Sequence, residues 1–428
     1  MSRLVRRMRS TSYGWWVAYT ASMNSFFTSG VHFQGSSAII AAVQAEFGWT
    51  TALASGVASF GRFGGGLLGP VEGILTDRIG SAWMMLGGLV LMGLGLIWLS
   101  QIDGPVPYYM AFLMLSIGVS AGGFVPATSA VARWLPERRA TGISMVLAGS
   151  SAGALLVPLM ALGITNLGWR PTMVIIGVIA LILAPIFWRI MSLRGHHPRE
   201  QTSAAAEQTG ERTASVDDSF TAKEALRTRA FWIISGTHTL ANLSTATVSA
   251  HIILHLTHSG LSFGAAALVP PIYASIAFFS QLAGGVIGDR MDKRLPLFVS
   301  LTLQASAIVA LTFVTSFASA MVFAVLWGLG FGARTPMLHA MRGDYFGSRA
   351  FGAILGLSSV PMQLGMMAAP VLVGFAFDFQ GTYRWAFLVV AAACYCAAFL
   401  ILLASRPKKR ATAAYGSDGG DDMEGAAT

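Results

Sequence analysis

Long apolar runs broken by short polar interruptions make up almost the whole chain. Twelve runs approach or exceed the roughly 20 mostly apolar residues that a helix needs to cross a bilayer. They cover 14–41, 51–76, 82–101, 107–134, 140–163, 170–190, 230–256, 264–289, 295–316, 319–342, 350–377 and 384–404. The breaks are short except for 191–229, which is rich in Ser, Thr, Ala and charge and balances its acids against its bases. That segment reads as a solvated linker, with a short amphipathic stretch at Phe220–Arg229. The pattern predicts an all-α membrane protein in three parts: a six-helix bundle over 1–190, a linker over 191–229, and a second six-helix bundle with a short tail over 230–428.

Composition agrees with a bilayer as the solvent. Of 428 residues, 54% are hydrophobic and 11% are charged, against about 25% charged in an ordinary soluble domain. The 48 glycines suit helices that associate in lipid through small residues. Two cysteines, Cys394 and Cys396, exclude a disulfide scaffold and read as inert membrane thiols. The basic N-terminus lacks a short apolar run ending in a cleavage site, so the first hydrophobic segment is expected to stay.

The charge distribution changes the picture further. A net charge of +9 might suggest nucleic acid as a partner, but alternate loops collect nearly all of the bases. Of the 28 Lys and Arg, only Arg62, Arg170, Arg334 and Arg384 fall outside the set formed by the N-terminus, the linker, the even-numbered breaks and the tail. The positive-inside rule then places both termini and the linker in the cytosol, in a bacterial-type plasma membrane. Lipid, not nucleic acid, is the expected surroundings.

The loop after the second span reads Gly73-Ile-Leu-Thr-Asp77-Arg78-Ile-Gly80, and the eighth span ends Gly284-Gly285-Val-Ile-Gly288-Asp289-Arg290-Met-Asp-Lys293-Arg294. A repeated G-x-x-x-D-R points to duplicated six-helix units. Glycines would let these spans pack closely where the halves meet, and an Asp-Arg pair would cap neighbouring helix ends and break when the halves rock apart. Glu72, Gly73, Asp77, Arg78, Asp289 and Arg290 are thus candidates for a conformational gate. On these motifs the chain resembles the major facilitator superfamily along nearly its whole length, which implies two pseudo-symmetric six-helix bundles and transport by alternating access. The first copy departs from the family pattern, with Ser81 and Ala82 where two bases often follow; the second keeps Lys293 and Arg294.

A narrower resemblance lies in Trp134-Leu-Pro136-Glu-Arg138-Arg139-Ala-Thr-Gly142 followed by Ala148-Gly149-Ser150-Ser-Ala-Gly153. This is similar to the signature of monocarboxylate transporters and oxalate/formate antiporters. Tyr13-Gly14-Trp15-Trp16, Glu46-Phe-Gly-Trp49 and Asp344-Tyr345-Phe346-Gly347 resemble the same group. Gly149-x-x-x-Gly153 would permit a close helix crossing. The arginine that many of these carriers place in the eighth span has Gln281 near its position here, and the oxalate carrier's eleventh-span lysine has no equivalent in Gly356-Leu-Ser358-Ser359-Val-Pro361. An anion would therefore be bound differently.

Ionisable groups within a membrane are costly and are functional candidates by default. Arg62 lies roughly 16 Å into the second span and Arg334 roughly 22 Å into the tenth, at about 1.5 Å per residue. A guanidinium matches a carboxylate in bidentate geometry and keeps its charge, so one arginine from each half would clamp an anionic substrate. The alternative pairs them with acids, of which the spans offer almost none. His32 and His251 are candidates for substrate contact and for carrying a coupled proton, against the alternative of a cross-helix hydrogen bond; His255 and His258 are expected at the outer mouth. Phe33, Tyr273 and Phe331 would shape the cavity. No metal-ligand set, cofactor motif, phosphate loop or nucleophile-base constellation accompanies them, so no enzyme, metal or cofactor is expected. The predicted function is a secondary carrier of a small organic anion, coupled to protons and monomeric. An efflux carrier of amphipathic compounds and a non-transporting substrate sensor are the alternatives.

Overall fold

A computed structural model of the chain describes residues 3–49, 53, 57, 68–192 and 219–407. The described residues are almost wholly helical and contain no strand. α1 (Arg3–Thr28) passes through a π-helical turn, Ser29–Gln34, into α2 (Ser36–Phe47). Residues 68–79 form α3. Then come α4 (Ser81–Leu99), α5 (Pro105–Gly122), α6 (Phe124–Trp134), α7 (Arg139–Ala152), α8 (Leu156–Leu167) and α9 (Trp169–Ser192). After the linker, α10 (Ala222–Leu226) starts on a capping box between Thr221 and Glu224, within the stretch read as amphipathic. α11 (Arg229–His258), α12 (Phe263–Arg290), α13 (Arg294–Thr312), α14 (Phe317–Phe346), α15 (Phe351–Gln380) and α16 (Arg384–Leu402) complete the chain.

Nine continuous helical stretches among the described residues are long and apolar enough to cross a membrane. Helices are the answer lipid demands, because each satisfies its own backbone groups. Where a helix breaks, a side chain substitutes. Pro126 has no N–H to give the Gly122 carbonyl one turn earlier, and the Asn24 amide donates to that carbonyl instead, at 2.9 Å. α14 continues one turn beyond the predicted end of its span. Arg342, read from the sequence as a loop cation, is consequently inside the helix and 1% exposed.

Two hydrophobic cores follow the order of the chain. One gathers Phe27, Leu89, Phe112, Trp169 and Phe187; the other gathers Phe231, Leu301, Trp327, Phe346 and Phe387. A third cluster joins them, packing Ala18, Ala127, Val131, Ala140 and Ile143 against Ala340, Phe351 and Leu355. It lies at the end of the molecule that carries the chain termini. There the Tyr13 hydroxyl donates to the Ile190 carbonyl at 2.7 Å, its ring meets Trp134 edge-on, and Tyr345 donates to the Ala404 carbonyl at 3.3 Å. At the opposite end, Gly168 (φ +88°) precedes Trp169-Arg170 and Gly381 (φ +66°) precedes Thr382-Tyr383-Arg384. Arg170 donates to the carbonyls of Ser100 and Ile102 and to Glu46, which Trp169 also contacts; these bonds, Arg170's first, hold the Glu46 carboxyl below the usual carboxylate range.

Candidate functional site

At the termini end, each G-x-x-x-D-R copy reaches across to the other core. α3 carries Asp77, whose carboxylate accepts the backbone N–H groups of Gly352 (3.1 Å) and Ala353 (2.7 Å), at the start of α15. α12 carries Asp289, whose two oxygens accept the N–H groups of Ala140 and Thr141, both at 2.8 Å, at the start of α7. The first N–H groups of a helix have no partner within it and the helix dipole favours negative charge there, so each carboxylate caps the facing helix.

Glycine makes the approach possible. A Cβ on Gly73 would sit 2.1 Å from the Gly352 carbonyl oxygen, and one on Gly356 would sit 2.2 Å from that of Gly69. On the other seam a Cβ on Gly285 would meet the Ser144 hydroxyl at 2.3 Å. The acids make these caps; the arginines beside them do not share in them. Arg78 and Arg290 are exposed, and Asp77 pairs instead with Arg133 of α6 at 3.1 Å. Across the second seam, Asp344 of α14 joins Arg139 (3.1 Å) and Lys293 (2.5 Å). Gly149 and Gly153 do form a close crossing: a Cβ on the first would lie 2.3 Å from the Ser22 carbonyl oxygen and one on the second 2.7 Å from the Gly30 nitrogen.

Glu72, one residue before Gly73, is buried, and one of its carboxyl oxygens has no hydrogen-bond partner among the described residues; Ser120 bonds the carboxyl.

Arg62 lies outside the described residues, so only one of the two arginines can be followed. Arg334 does not snorkel. It is 0% exposed and points into the second core, where Nε donates to Gln304 Oε1 at 2.5 Å and Nη2 to Thr245 Oγ1 at 3.1 Å. Its guanidinium sits 5.3 Å from the centre of the Phe331 ring. Nη1 is buried without a partner, and among the described residues no carboxylate reaches the group. Taking a guanidinium out of water costs several kcal/mol, which neutral partners offset only in part.

The other sequence candidates scatter. Gln281 is buried, and its carbonyl oxygen has no partner among the described residues. His251 makes a cross-helix bond to the Pro370 carbonyl at 2.9 Å, and His255, in the last turn of α11, is buried against the Leu311 carbonyl at 2.8 Å. His258 stacks on Phe377. His32, in the π-helical turn, contacts Ser116 and Phe112 of α5 and so faces the first core. Phe33 is 57% exposed, while Tyr273 packs on Phe323 and Trp327. A second basic cluster escaped sequence reading. Arg342 donates to His238 Nδ1 at 3.0 Å, and the His238 ring meets that of His339 edge-on at 5.0 Å. Only the doubled histidines within apolar runs could have signalled it.

The family model described as Major Facilitator Superfamily matches residues 19–332 and 240–420. The chain belongs to the Major Facilitator Superfamily. It is an integral, multi-pass membrane transporter of that fold and not an enzyme. It is 25% identical over 347 residues to monocarboxylate transporter 11 of Mus musculus, covering 78% of this chain and 73% of that one. It is 22% identical over 357 residues to human monocarboxylate transporter 2, with the same coverage. To the 3-(3-hydroxy-phenyl)propionate transporter of Escherichia coli strain K12 it is 24% identical over 326 residues, 73% of this chain and 76% of that protein. Among solved structures, a superfamily transporter, FucP, in its outward conformation matches with a TM-score of 0.70 at 15% identity, over 91% of this chain and 100% of that one. That likeness speaks to the fold alone.

Proposed function

We propose that this transporter is a secondary carrier of a small organic anion with a carboxylate head group, and that Arg334 binds that head group. One observation carries the reading: a fully buried guanidinium that, among the described residues, has an unfilled donor and no acid beside it. A carboxylate would complete it with a charge-assisted bond, of the kind worth about 1.5–3 kcal/mol. The relatives named for monocarboxylates and for a phenylpropionate support the same class of cargo.

Transport proceeds by alternating access between the state described here, in which Asp77 and Asp289 hold the termini end shut, and a state in which both caps are released. The twelve spans divide into bundles over 1–190 and 230–428, the protein works as a monomer, and the basic loops put the termini end in the cytosol of a bacterial-type membrane. A proton travels with the anion. Proteoliposome uptake of labelled mono- and dicarboxylates, with and without an imposed pH gradient, tests the cargo, the role of Arg334 and the proton coupling. The expected result is saturable, gradient-stimulated uptake of at least one acid that Arg334→Gln lowers by tenfold or more, about 1.4 kcal/mol. Uptake that Arg334→Gln leaves unchanged would remove Arg334 from the site, and indifference to the gradient would remove the proton.

A further inference from the structure

We propose that Arg342, His238 and His339 form a second binding station for the head group of an organic anion, one that is covered in the closed state and uncovered when the termini end opens. The proposal rests on the anion reading above but uses different residues. Arg342 lies eight residues beyond Arg334 on α14, about 12 Å further toward the termini end. It is 1% exposed, and among the described residues its polar contacts are the Leu338 carbonyl of its own helix at 3.0 Å and His238 Nδ1 at 3.0 Å.

An arginine can only donate, so His238 Nδ1 is the acceptor in that bond. The neutral ring therefore carries its hydrogen on Nε2 and presents a second donor. His339 is 5% exposed, its Nδ1 has no hydrogen-bond partner among the described residues, and its ring lies against Phe124 of α6, a helix of the first half of the chain, at a centroid distance of 4.8 Å.

Two features set this cluster apart from ordinary packing. Its charged and titratable members, with Arg334 nearby, are all basic, and no ion pair among the described residues involves them. A buried cation so placed costs several kcal/mol unless something compensates it. The cover is also conditional. Phe124 packs on the cluster that joins the two cores and comes from α6, in the half of the chain that would separate from α14 when Asp77 and Asp289 let go, so opening uncovers His339 first. Neighbouring Ala340 already lies in the apolar cluster that joins the two cores. An anion leaving Arg334 toward the termini end would meet these donors next, and its binding there would favour the open state.

Charge-selective thiol labelling tests the station without knowing the cargo. In full-length protein with Cys394→Ser and Cys396→Ser, His339→Cys is reacted with an anionic sulfonatoethyl and a cationic trimethylammonioethyl methanethiosulfonate. Each rate is divided by that reagent's rate with free 2-mercaptoethanol. With the gate intact both reagents should be excluded. With Asp77→Ala the anionic reagent should be favoured by roughly tenfold or more, as expected of a focused basic site. Adding Arg342→Met should remove most of the preference; it keeps the volume, and such apolar replacements of buried ions are commonly tolerated. Arg342→Lys should retain the preference. Adding Arg334→Gln should leave it above half its value, so a failed Arg334 reading would not by itself sink this one. Equal rates, no labelling of the Asp77→Ala protein, or a preference that survives Arg342→Met would each overturn the proposal.

Discussion

The two seams at the termini end use the same device and differ in what surrounds it. In the α3–α15 seam, glycine faces glycine, with Gly69 and Gly73 against Gly352 and Gly356, and the backbones themselves touch. Among the described residues the one ion pair there, Asp77 with Arg133, joins residues of the same half of the chain. In the α7–α12 seam, glycine faces Ala140 and Ser144, and a cross-core ion pair, Arg139 with Asp344, is reinforced by Lys293. One seam closes by shape and the other by charge. The departure of the first motif copy fits this division. Where the second copy supplies Lys293 to bind Asp344, the first has Ser81 and Ala82, and its acid takes Arg133 from another helix instead. On the alternating-access proposal, the mixture would let the glycine seam set how closely the ends fit while the charged seam could be released by water.

The largest break should come from shape. Gly73→Leu would drive a side chain into the Gly352 carbonyl, and overpacking of this kind typically costs about 1–3 kcal/mol. Spin-label distances across the termini end should then shift strongly to the open population, whereas Gly285→Leu, which meets a movable Ser144 hydroxyl, should shift them less. Next come the caps. Asp289→Ala removes acceptors from two N–H groups, and replacing an N-cap costs about 0.5–2 kcal/mol. Asp77→Ala should cost more, since it also leaves Arg133 half-buried without its acid. The same distances report both, and equal effects would contradict the comparison.

Smaller is Asp344→Asn, expected at about 1 kcal/mol or less because the acid is partly exposed and its pairs are screened. Its effect on closure should shrink as salt rises from 0.05 to about 1 M, where the Debye length falls to roughly 3 Å, while the effect of Gly73→Leu should not.

The smallest lies at the far end. Arg170 lowers the Glu46 carboxyl below its ordinary range, so that pair's stabilisation is complete above the unfolded carboxylate value of about 4.3 and is lost only as pH falls through the lower folded value. Glu46→Gln should therefore cost roughly 1 kcal/mol or less, and the cost should be flat from pH 5 to 8 in thermal unfolding.

Architecture was legible because lipid imposes it: a span has to be apolar for some 20 residues, and such runs stand out in any sequence. The close contacts at the termini end were legible in their acids and glycines, since the motif occurs twice, but the partners were not. Arg133 and Gly352 come from distant parts of the chain, and adjacency in sequence made Arg78 and Arg290 look like the natural mates. Arg342 was misplaced because α14 runs a turn longer than its apolar stretch, so a buried cation resembled a loop base. The bond from His251 to the Pro370 carbonyl depends on how α11 meets α15, which no local pattern reveals. Of the proposed arginine clamp, Arg334 is the member that can be followed, and its lack of an acid partner among the described residues agrees with the scarcity of acids in the spans.

If Arg334 binds a carboxylate as proposed, the ligand should stabilise the folded protein through that residue. Thermal unfolding of the purified transporter against a panel of monocarboxylates and dicarboxylates, repeated with Arg334→Gln and Arg334→Lys, tests this. At least one acid should raise the midpoint of the wild-type protein in proportion to the logarithm of its concentration; the response should vanish in Arg334→Gln and survive, weakened, in Arg334→Lys. A wild-type protein that no carboxylate stabilises, or an Arg334→Gln protein that responds as the wild type does, would contradict it.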